Sequence, residues 1–544
     1  QYDYKGVYPE LRMEHWRTTL QANLKTIAQL PMECGLLFCI GLNLLRQIIN
    51  KKMKVKNRTM VRTMIIIITV FIVLGFILMV TIGVVQNKPL QQKYKYGIVL
   101  DAGSSHTSVY IYEWPAEKEN DTGMVQQKHA CNVKGKGISS YSDKPTLAGA
   151  SLKECMDEAR DAIPVHRHSE TPIYLGATAG MRLLKLGNKS ASEEVLKSVG
   201  QFLQTYPFSY QGARIITGQE EGAFGWITVN YLSNNFGKAS TTFGALDLGG
   251  ASTQITFVTA KELESQDNTI DFRLYGNDYY LYTHSFLCYG KDQVLKMSLS
   301  KSINSKHGQT DIIALEDPCF HEGYNVTMTF QSVFNSPCVG RLNLTQNTFT
   351  HVGLGKWSEC HTVVRKVFQK SECKYSTCSF NGVFQPPVHG NFGAFSAFYF
   401  VMDFLNLTAG SLDKAQSKLQ EYCALPWNTI KKMYPHVKEK YLAEYCFSGT
   451  YILTLLEDGY NFTSDNWNYI RFIKKIGESD AGWTLGYMLN LTNMIPAEAP
   501  DKPLLPYGGY VTFMLLLSFL ILSLCLLAYK CFRRPTGSGQ RDVI

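Results

Sequence analysis

Two stretches of the chain are apolar without interruption. Residues 64–85 and 511–529 carry no charged side chain over 22 and 19 positions. Each is long enough to cross about 30 Å of hydrocarbon as a helix. Neither has a polar face, which argues against a buried core helix, and the first lacks the small-residue cleavage site of a signal peptide. From residue 95 onward, short apolar runs alternate with helical patterns, the order expected of an α/β fold. Residues 96–100 and 108–113 predict a hairpin, and 243–246 with 254–258 predict a second one. Residues 172–175 and 214–217 read as short buried strands. Residues 152–163, 192–203, 392–405 and 450–456 read as helices, with another starting at Glu220. Residues 260–390 are rich in Cys, Gly and Asn and read as an elaboration of the second half. The Pro-rich stretch 496–506 reads as a linker. Residues 36–49 are moderately apolar but interrupted by Asn43 and Arg46, which suits an interfacial helix or an extension without a folded role. The chain opens on Gln, and Met53 is an alternative start.

Charge sharpens this picture. Of 544 residues with a formal charge of +9, residues 1–62 hold 11 Lys/Arg against 4 Asp/Glu, and residues 530–544 hold 4 against 1. The excess is thus +7 and +3, and everything between is near −1, so a nucleic-acid surface is excluded. Lys51, Lys52, Lys54, Lys56, Arg58 and Arg62 precede the first apolar run, and Lys530, Arg533 and Arg534 follow the second. The positive-inside rule places both ends in the cytosol and residues 86–509 outside the cell or in a secretory lumen. Ten of the 14 Cys lie in that outer region: Cys131, Cys155, Cys288, Cys319, Cys338, Cys360, Cys373, Cys378, Cys423 and Cys446. An even number in an oxidising compartment suggests five disulfides, with connectivity open. A zinc site is the rival, but Cys373 and Cys378 have no matching Cys/His pair nearby. Sequons at Asn120, Asn188, Asn325, Asn343, Asn406, Asn461 and Asn490 agree with exposure to the secretory pathway.

The candidate chemistry is a pattern that occurs twice. Asp101-Ala102-Gly103-Ser104-Ser105-His106 follows one apolar strand, and Asp247-Leu248-Gly249-Gly250-Ala251-Ser252-Thr253-Gln254 follows another, 146 positions later. Asp holds a hydrated divalent cation well, and Gly with small residues lets backbone N–H groups approach phosphate oxygens. One copy is ordinary turn chemistry. Two copies suggest two related lobes facing one phosphate chain. Four further segments stand out. Gly176-Ala177-Thr178-Ala179-Gly180-Met181-Arg182 follows a strand, Thr217-Gly218-Gln219-Glu220-Glu221 opens a helix with paired carboxylates, Asp480-Ala481-Gly482-Trp483 lies late in the chain, and residues 396–400 read as part of an aromatic-rich helix. Taken singly, Glu220 reads as a helix-start residue favoured by the dipole. Arg182 reads as a surface salt-bridging residue, and Trp226 and Trp483 read as packing. No Gly-x4-Gly-Lys-[Ser/Thr] occurs, which excludes a P-loop NTPase.

Taken together, these segments resemble, in order and spacing, the apyrase conserved regions of the ecto-nucleoside triphosphate diphosphohydrolases. The match is most nearly to the vascular cell-surface type of these ecto-apyrases and covers about residues 60–530. The resemblance implies an α/β fold of two RNase H-like lobes of the actin, Hsp70 and sugar-kinase superfamily, with the nucleotide between them. It divides the chain into a cytosolic tail (1–63), a span (64–85), lobe I (86–214), lobe II (215–477), a return to lobe I with a linker (478–509), a second span (510–529) and a cytosolic tail (530–544). It implies a plasma-membrane enzyme that hydrolyses extracellular ATP and ADP to AMP with Ca²⁺ or Mg²⁺. Asp101 and Asp247 would hold the metal, largely through water. Ser104, Ser105, His106, Thr178 and the backbone of Gly249, Gly250, Ala251 and Ser252 would bind phosphate. Glu221 would be the general base, and Ser252 and Gln254 would help position the water. The nucleobase would lie near Phe400 and Tyr441. The cysteines would pair as Cys131–Cys155, Cys288–Cys338, Cys319–Cys360, Cys373–Cys378 and Cys423–Cys446. Partners would be the nucleotide and the bilayer, with association between copies of the chain left open. A chaperone-like switch lacks a substrate-binding domain, and a sugar kinase fits neither the outward topology nor the cysteines. An adhesion ectodomain would not need Glu221 and both loops.

Overall fold

A computed structural model describes residues 58–86, 93–118, 124–306, 314–340, 347–368, 372–492, 495, 497, 498 and 505–533. The expectations for residues 36–49 and Met53, and for most of the Pro-rich linker, lie outside the described residues. The chain divides into two compact units, Gln1–Gln91 with Pro500–Ile544, and Gln92–Ala499.

In the first unit the apolar runs form helices Arg58–Gln86 and Tyr507–Arg533. Both are long and apolar enough to cross a membrane. They approach at Gly75, where a Cβ would come within 3.2 Å of Ile521 Cγ1. At one end the Gln86 carboxamide closes a ring with a backbone segment. Its Nε2 donates to Leu505 O at 2.7 Å, and Leu505 N donates to its Oε1 at 3.1 Å.

The second unit holds two sheets of related topology. The first comprises β1 (Tyr94–Ala102), β2 (Thr107–Pro115), β3 (Gln126–Asn132), β4 (Pro172–Ala177) and β5 (Ser209–Ile215), in the order β3-β2-β1-β4-β5. β1 to β3 are antiparallel, and β4 and β5 continue parallel to β1. The second sheet takes β6 (Gly244–Leu248), β7 (Ser252–Val258), β8 (Thr269–Leu274) and β9 (Asn277–Leu287). β10 (Ala314–Asp317), β11 (Asn325–Thr329) and β12 (Thr348–Gly353) form a small separate sheet within the Cys-rich elaboration. β13 (Phe392–Ser396) and β14 (Ile470–Phe472) then complete the second sheet as β14-β13-β6-β7-β9-β8. Without the edge strand β8, this repeats the first sheet. Both are RNase H-like, as expected. β1 and β6 are covered on both faces, so their central runs are continuously apolar rather than alternating.

Between the sheets lie helices Gly218–Leu232 and Trp483–Thr492. Val99, Trp114, Phe224, Trp226, Trp483, Met488 and Phe395 join there in one core. The helices cross at Gly486, whose N–H donates to Thr228 Oγ1 at 2.8 Å, and a Cβ there would stand 2.0 Å from Phe224 O. Gly486→Ala is therefore expected to lower stability by about 1–3 kcal/mol, although Ala alone favours a helix by up to about 1 kcal/mol. A fall in Tm of the purified chain checks the sign.

One expected helix is corrected. Residues 392–405 split into β13 and helix Ala397–Phe404, because Phe392–Ser396 is paired on both sides, with β6 and β14. Short apolar runs do not distinguish the two forms locally. Ser396, with φ 57°, makes the abrupt turn. The strand expected at 214–217 begins earlier, at Ser209, and the helix expected at 450–456 begins at Glu439. All five cysteine pairs implied by the resemblance are disulfides.

Candidate active site

Each twin loop starts where a central strand ends. Asp101 is the penultimate residue of β1, with Ser104, Ser105 and His106 in the turn to β2. Asp247 is the penultimate residue of β6, Gly249 to Ala251 form the turn, and Ser252 and Gln254 lie on β7. The turns face one another: a Cβ on Gly250 would come within 2.7 Å of Ser104 Oγ. In the second turn the carbonyls of Gly249, Gly250 and Ala251 accept from the N–H groups of Lys291, Asp292 and Cys288, each at 2.9 Å. Since a trans peptide opposes its C=O and N–H, the N–H groups of Gly250, Ala251 and Ser252 point away from that segment. In the first turn the Ser105 hydroxyl lies 2.9 Å from His106 Nδ1, and both residues are exposed.

Thr178 directly follows β4 and occupies the N-cap position of helix Ala179–Gly187, without a side-chain capping bond. Gly180 lets that helix approach the first turn, since a Cβ there would stand 2.7 Å from Ser104 Cα. Glu221 lies in the first turn of Gly218–Leu232, which begins with a capping box: Glu220 N donates to Thr217 Oγ1 at 3.1 Å, and Thr217 N to Glu220 Oε2 at 2.8 Å. Glu220 thus caps its helix, as expected, and Glu221 turns inward and is buried.

Around Glu221 the side chains form one network. Arg182 Nη2 donates to Glu221 Oε2 at 2.7 Å and to Ser252 Oγ at 3.1 Å. Its Nη1 donates to Ile216 O at 3.1 Å. Gln254 Nε2 donates to Ser252 Oγ at 2.7 Å and Ser285 Oγ at 2.8 Å, and lies 3.3 Å from Glu221 Oε2. The surface role expected for Arg182 is overturned, because its side chain is 13% exposed and holds Glu221. A signal was present. Arg182 follows Thr178 by four positions, so one helical turn brings both to the same face. Ser285, the other residue that sequence reasoning missed, sits in a strand with no motif. Its only marker is register, opposite Gln254 across β7 and β9.

All three carboxyl groups of the site are shifted upward. Burial, then the charges of Glu221 and Asp247, pushes Asp101 up to about 8, partly offset by Trp483. Burial and Glu221 push Asp247 up to about 7, with Ser396 and Arg182 opposing. Burial also raises Glu221, against the pull of Arg182. Arg182 thus offsets Glu221 and Asp247, while the charges acting on Asp101 are those of the other two carboxylates. Asp101 Oδ1 and Gln254 Oε1 are shielded from solvent with no hydrogen-bond partner among the described residues.

The model of the GDA1/CD39 (nucleoside phosphatase) family matches residues 87–504. The chain belongs to this family. It is 51% identical over 492 residues to ectonucleoside triphosphate diphosphohydrolase 1 of Mus musculus, covering 86% of this chain and 96% of that one. It is 48% identical to the type 8 enzyme of Rattus norvegicus, covering 76% and 85%. Nucleoside triphosphate hydrolases from Neospora caninum share the fold, with a TM-score of 0.53 at 14% identity over 74% of this chain and 93% of theirs. In this GDA1/CD39 member, Asp101, Asp247, Glu221, Ser252 and Gln254 are joined by hydrogen bonds or by the mutual effect of their charges. Phe400 and Tyr441 make no contact with that network. Both are exposed, each one turn before Phe404 and Tyr445, whose rings stack at 3.8 Å. Trp226 and Trp483 are buried packing residues, as expected.

Proposed function

We propose that the chain is a membrane-anchored ectoenzyme that hydrolyses extracellular ATP to ADP and ADP to AMP, and so tunes purinergic signalling. The observation that carries this reading is the pair of facing phosphate turns beside the hydrogen-bonded group Glu221, Ser252 and Gln254. The high identity to enzymes named for tri- and diphosphate hydrolysis supports it.

The hydrogen-bond valences support a division of labour. Ser252 Oγ accepts from both Arg182 and Gln254, which occupies its two lone pairs and frees its proton to point into the site. Glu221 takes its protein contacts on Oε2. Gln254 Oε1 has no donor among the described residues. A water at this point would donate to Glu221 Oε1 and Gln254 Oε1 and accept from Ser252. Its remaining lone pair would face the terminal phosphorus. As the new P–O bond forms, Glu221 takes the water's proton and the bond to the leaving nucleotide oxygen breaks. Phosphoryl transfer asks a protein chiefly for this positioning and for charge neutralisation. Arg182 holds the base ionised and oriented.

Asp101 and Asp247 fit a divalent cation. They are crowded carboxylates near a third, with the Arg182 guanidinium offsetting Glu221 and Asp247 and, among the described residues, no hydrogen-bond partner for Asp101 Oδ1. Hard cations such as Ca²⁺ or Mg²⁺ suit such oxygens and, when bound, offset charge on the phosphate oxygens. Ser104, Ser105, His106, Thr178 and the Gly249–Ser252 backbone would hold phosphate, and Phe400 and Tyr441 the base. Residues 86–214 and 215–477 would form the lobes, with 478–509 returning to the first. The basic flanks and five disulfides support an outward ectodomain with both tails cytosolic.

Intact cells expressing the full chain, given ATP or ADP with Ca²⁺ in the medium, should release phosphate outside and accumulate AMP. Cleavage of ATP alone would overturn the diphosphate half of the reading. Release confined to permeabilised cells would overturn the orientation.

A further inference from the structure

We infer that Ser285 is a positioning residue for the attacking water, acting through Gln254. This rests on the proposed role of Gln254 in holding that water. A glutamine can present either end of its amide, and which end meets the water decides whether it accepts or donates. Gln254 has two amide protons, and its short contacts are to Ser252 Oγ at 2.7 Å and Ser285 Oγ at 2.8 Å. With both protons directed at hydroxyls, Oε1 is left on the opposite side, out of solvent and without a partner among the described residues. The reversed amide would set its oxygen 3.3 Å from the Glu221 carboxylate, where like partial charges repel. Ser252 alone does not secure this choice, because a single anchor leaves the amide free to swing about that contact. Ser285 is the second anchor that removes the amide's rotational freedom.

Ser285 is itself held by the helix that carries Glu221. Gly218 opens that helix, and a Cβ on it would stand 2.2 Å from Ser285 Cβ and 2.3 Å from Ser285 Oγ. The missing side chain lets the helix start rest directly on Ser285. One hydroxyl therefore fixes the Gln254 amide and marks how closely the Glu221 helix approaches β7 and β9. Base and amide, which come from different elements, are registered against the same serine.

The test uses the full-length chain in detergent micelles, with ATP and ADP as separate substrates and Tm measured throughout. Ser285→Ala should lower kcat about tenfold for both substrates, with KM within about twofold and Tm unchanged. Gly218→Ala, which pushes Ser285 aside without removing its hydroxyl, should give a similar loss of kcat. In the Gln254→Ala background Ser285→Ala should cost nothing more, because there is no amide left to orient. Near-normal kcat in Ser285→Ala beside a damaged Gln254→Ala would overturn the inference and leave the role of Gln254 standing. Losses that multiply in the double variant would also overturn it, since Ser285 would then act by another route. A Gln254→Ala enzyme of normal kcat would instead overturn the reading beneath it.

Discussion

Glu221→Gln is expected to lower kcat for ATP and ADP by about 10²- to 10⁴-fold, the usual contribution of a positioned general base. The substitution isolates the proton-accepting role. Glutamine keeps the shape and can still accept from Arg182 Nη2, now 2.7 Å from Glu221 Oε2, so the helix start and the Ser252–Gln254 arrangement should persist. Stability should change little or rise, because an ionisable group whose charged form is disfavoured by burial is replaced by a neutral one. KM should stay near normal, since Glu221 is not assigned to phosphate or base binding. In the unsubstituted enzyme the same burial predicts an acid limb: activity falls as Glu221 takes up a proton, at a pH above that of an ordinary glutamate. The measurement is kcat against pH with intact Tm, and a Glu221→Gln enzyme of normal kcat would remove Glu221 as the base.

Removing divalent cations should abolish activity and reverse how stability depends on pH. In the metal-free chain Asp101 is raised to about 8 and Asp247 to about 7, against about 3.9 in an unfolded chain. Between those limits the folded state binds more protons than the unfolded one. Stability therefore falls as pH rises from about 4 toward 8, and is greatest below the unfolded value. Binding Ca²⁺ or Mg²⁺ requires both carboxylates ionised, so it should release protons near neutral pH and release few above pH about 9. The gap in Tm between cation-loaded and chelated protein should accordingly widen from pH 5 to 8 and then level off. A gap that stays constant over that range, or retained activity in chelator, would remove Asp101 and Asp247 as the metal-holding pair.

Much of this site was legible before the fold. The carboxylates and small residues of the twin turns, Glu221 behind its capping residues, and Ser252 with Gln254 all lie in short segments whose chemistry is local. Glu220 and Glu221 are adjacent, yet a capping box takes one and burial takes the other, as helix-start geometry requires. The misreadings share a different cause. Phe392–Ser396 is apolar enough for a helix or a buried strand, and only its two parallel neighbours decide. Arg182 carries an ordinary surface residue's name, and its role depends on a contact 39 positions away. Ser285 has no pattern of its own, because cross-strand register and the bare Cα of Gly218 are what bring it to Gln254.

The sequence by itself determined the two apolar helices, the oxidised character of the region between them, the α/β class and the place of the twin Asp-x-Gly turns. These follow from hydropathy run length, cysteine count and the conformational needs of Asp, Gly and Ser, all set within a few residues. Only the tertiary structure decided that two helices are sandwiched between the sheets, that the turns face each other, and that Arg182 and Ser285 hold the Glu221 carboxylate and the Gln254 amide. Those outcomes depend on register and burial among residues tens to hundreds of positions apart. There, hydrogen-bond valence and crowding of charge select an arrangement that no local pattern encodes.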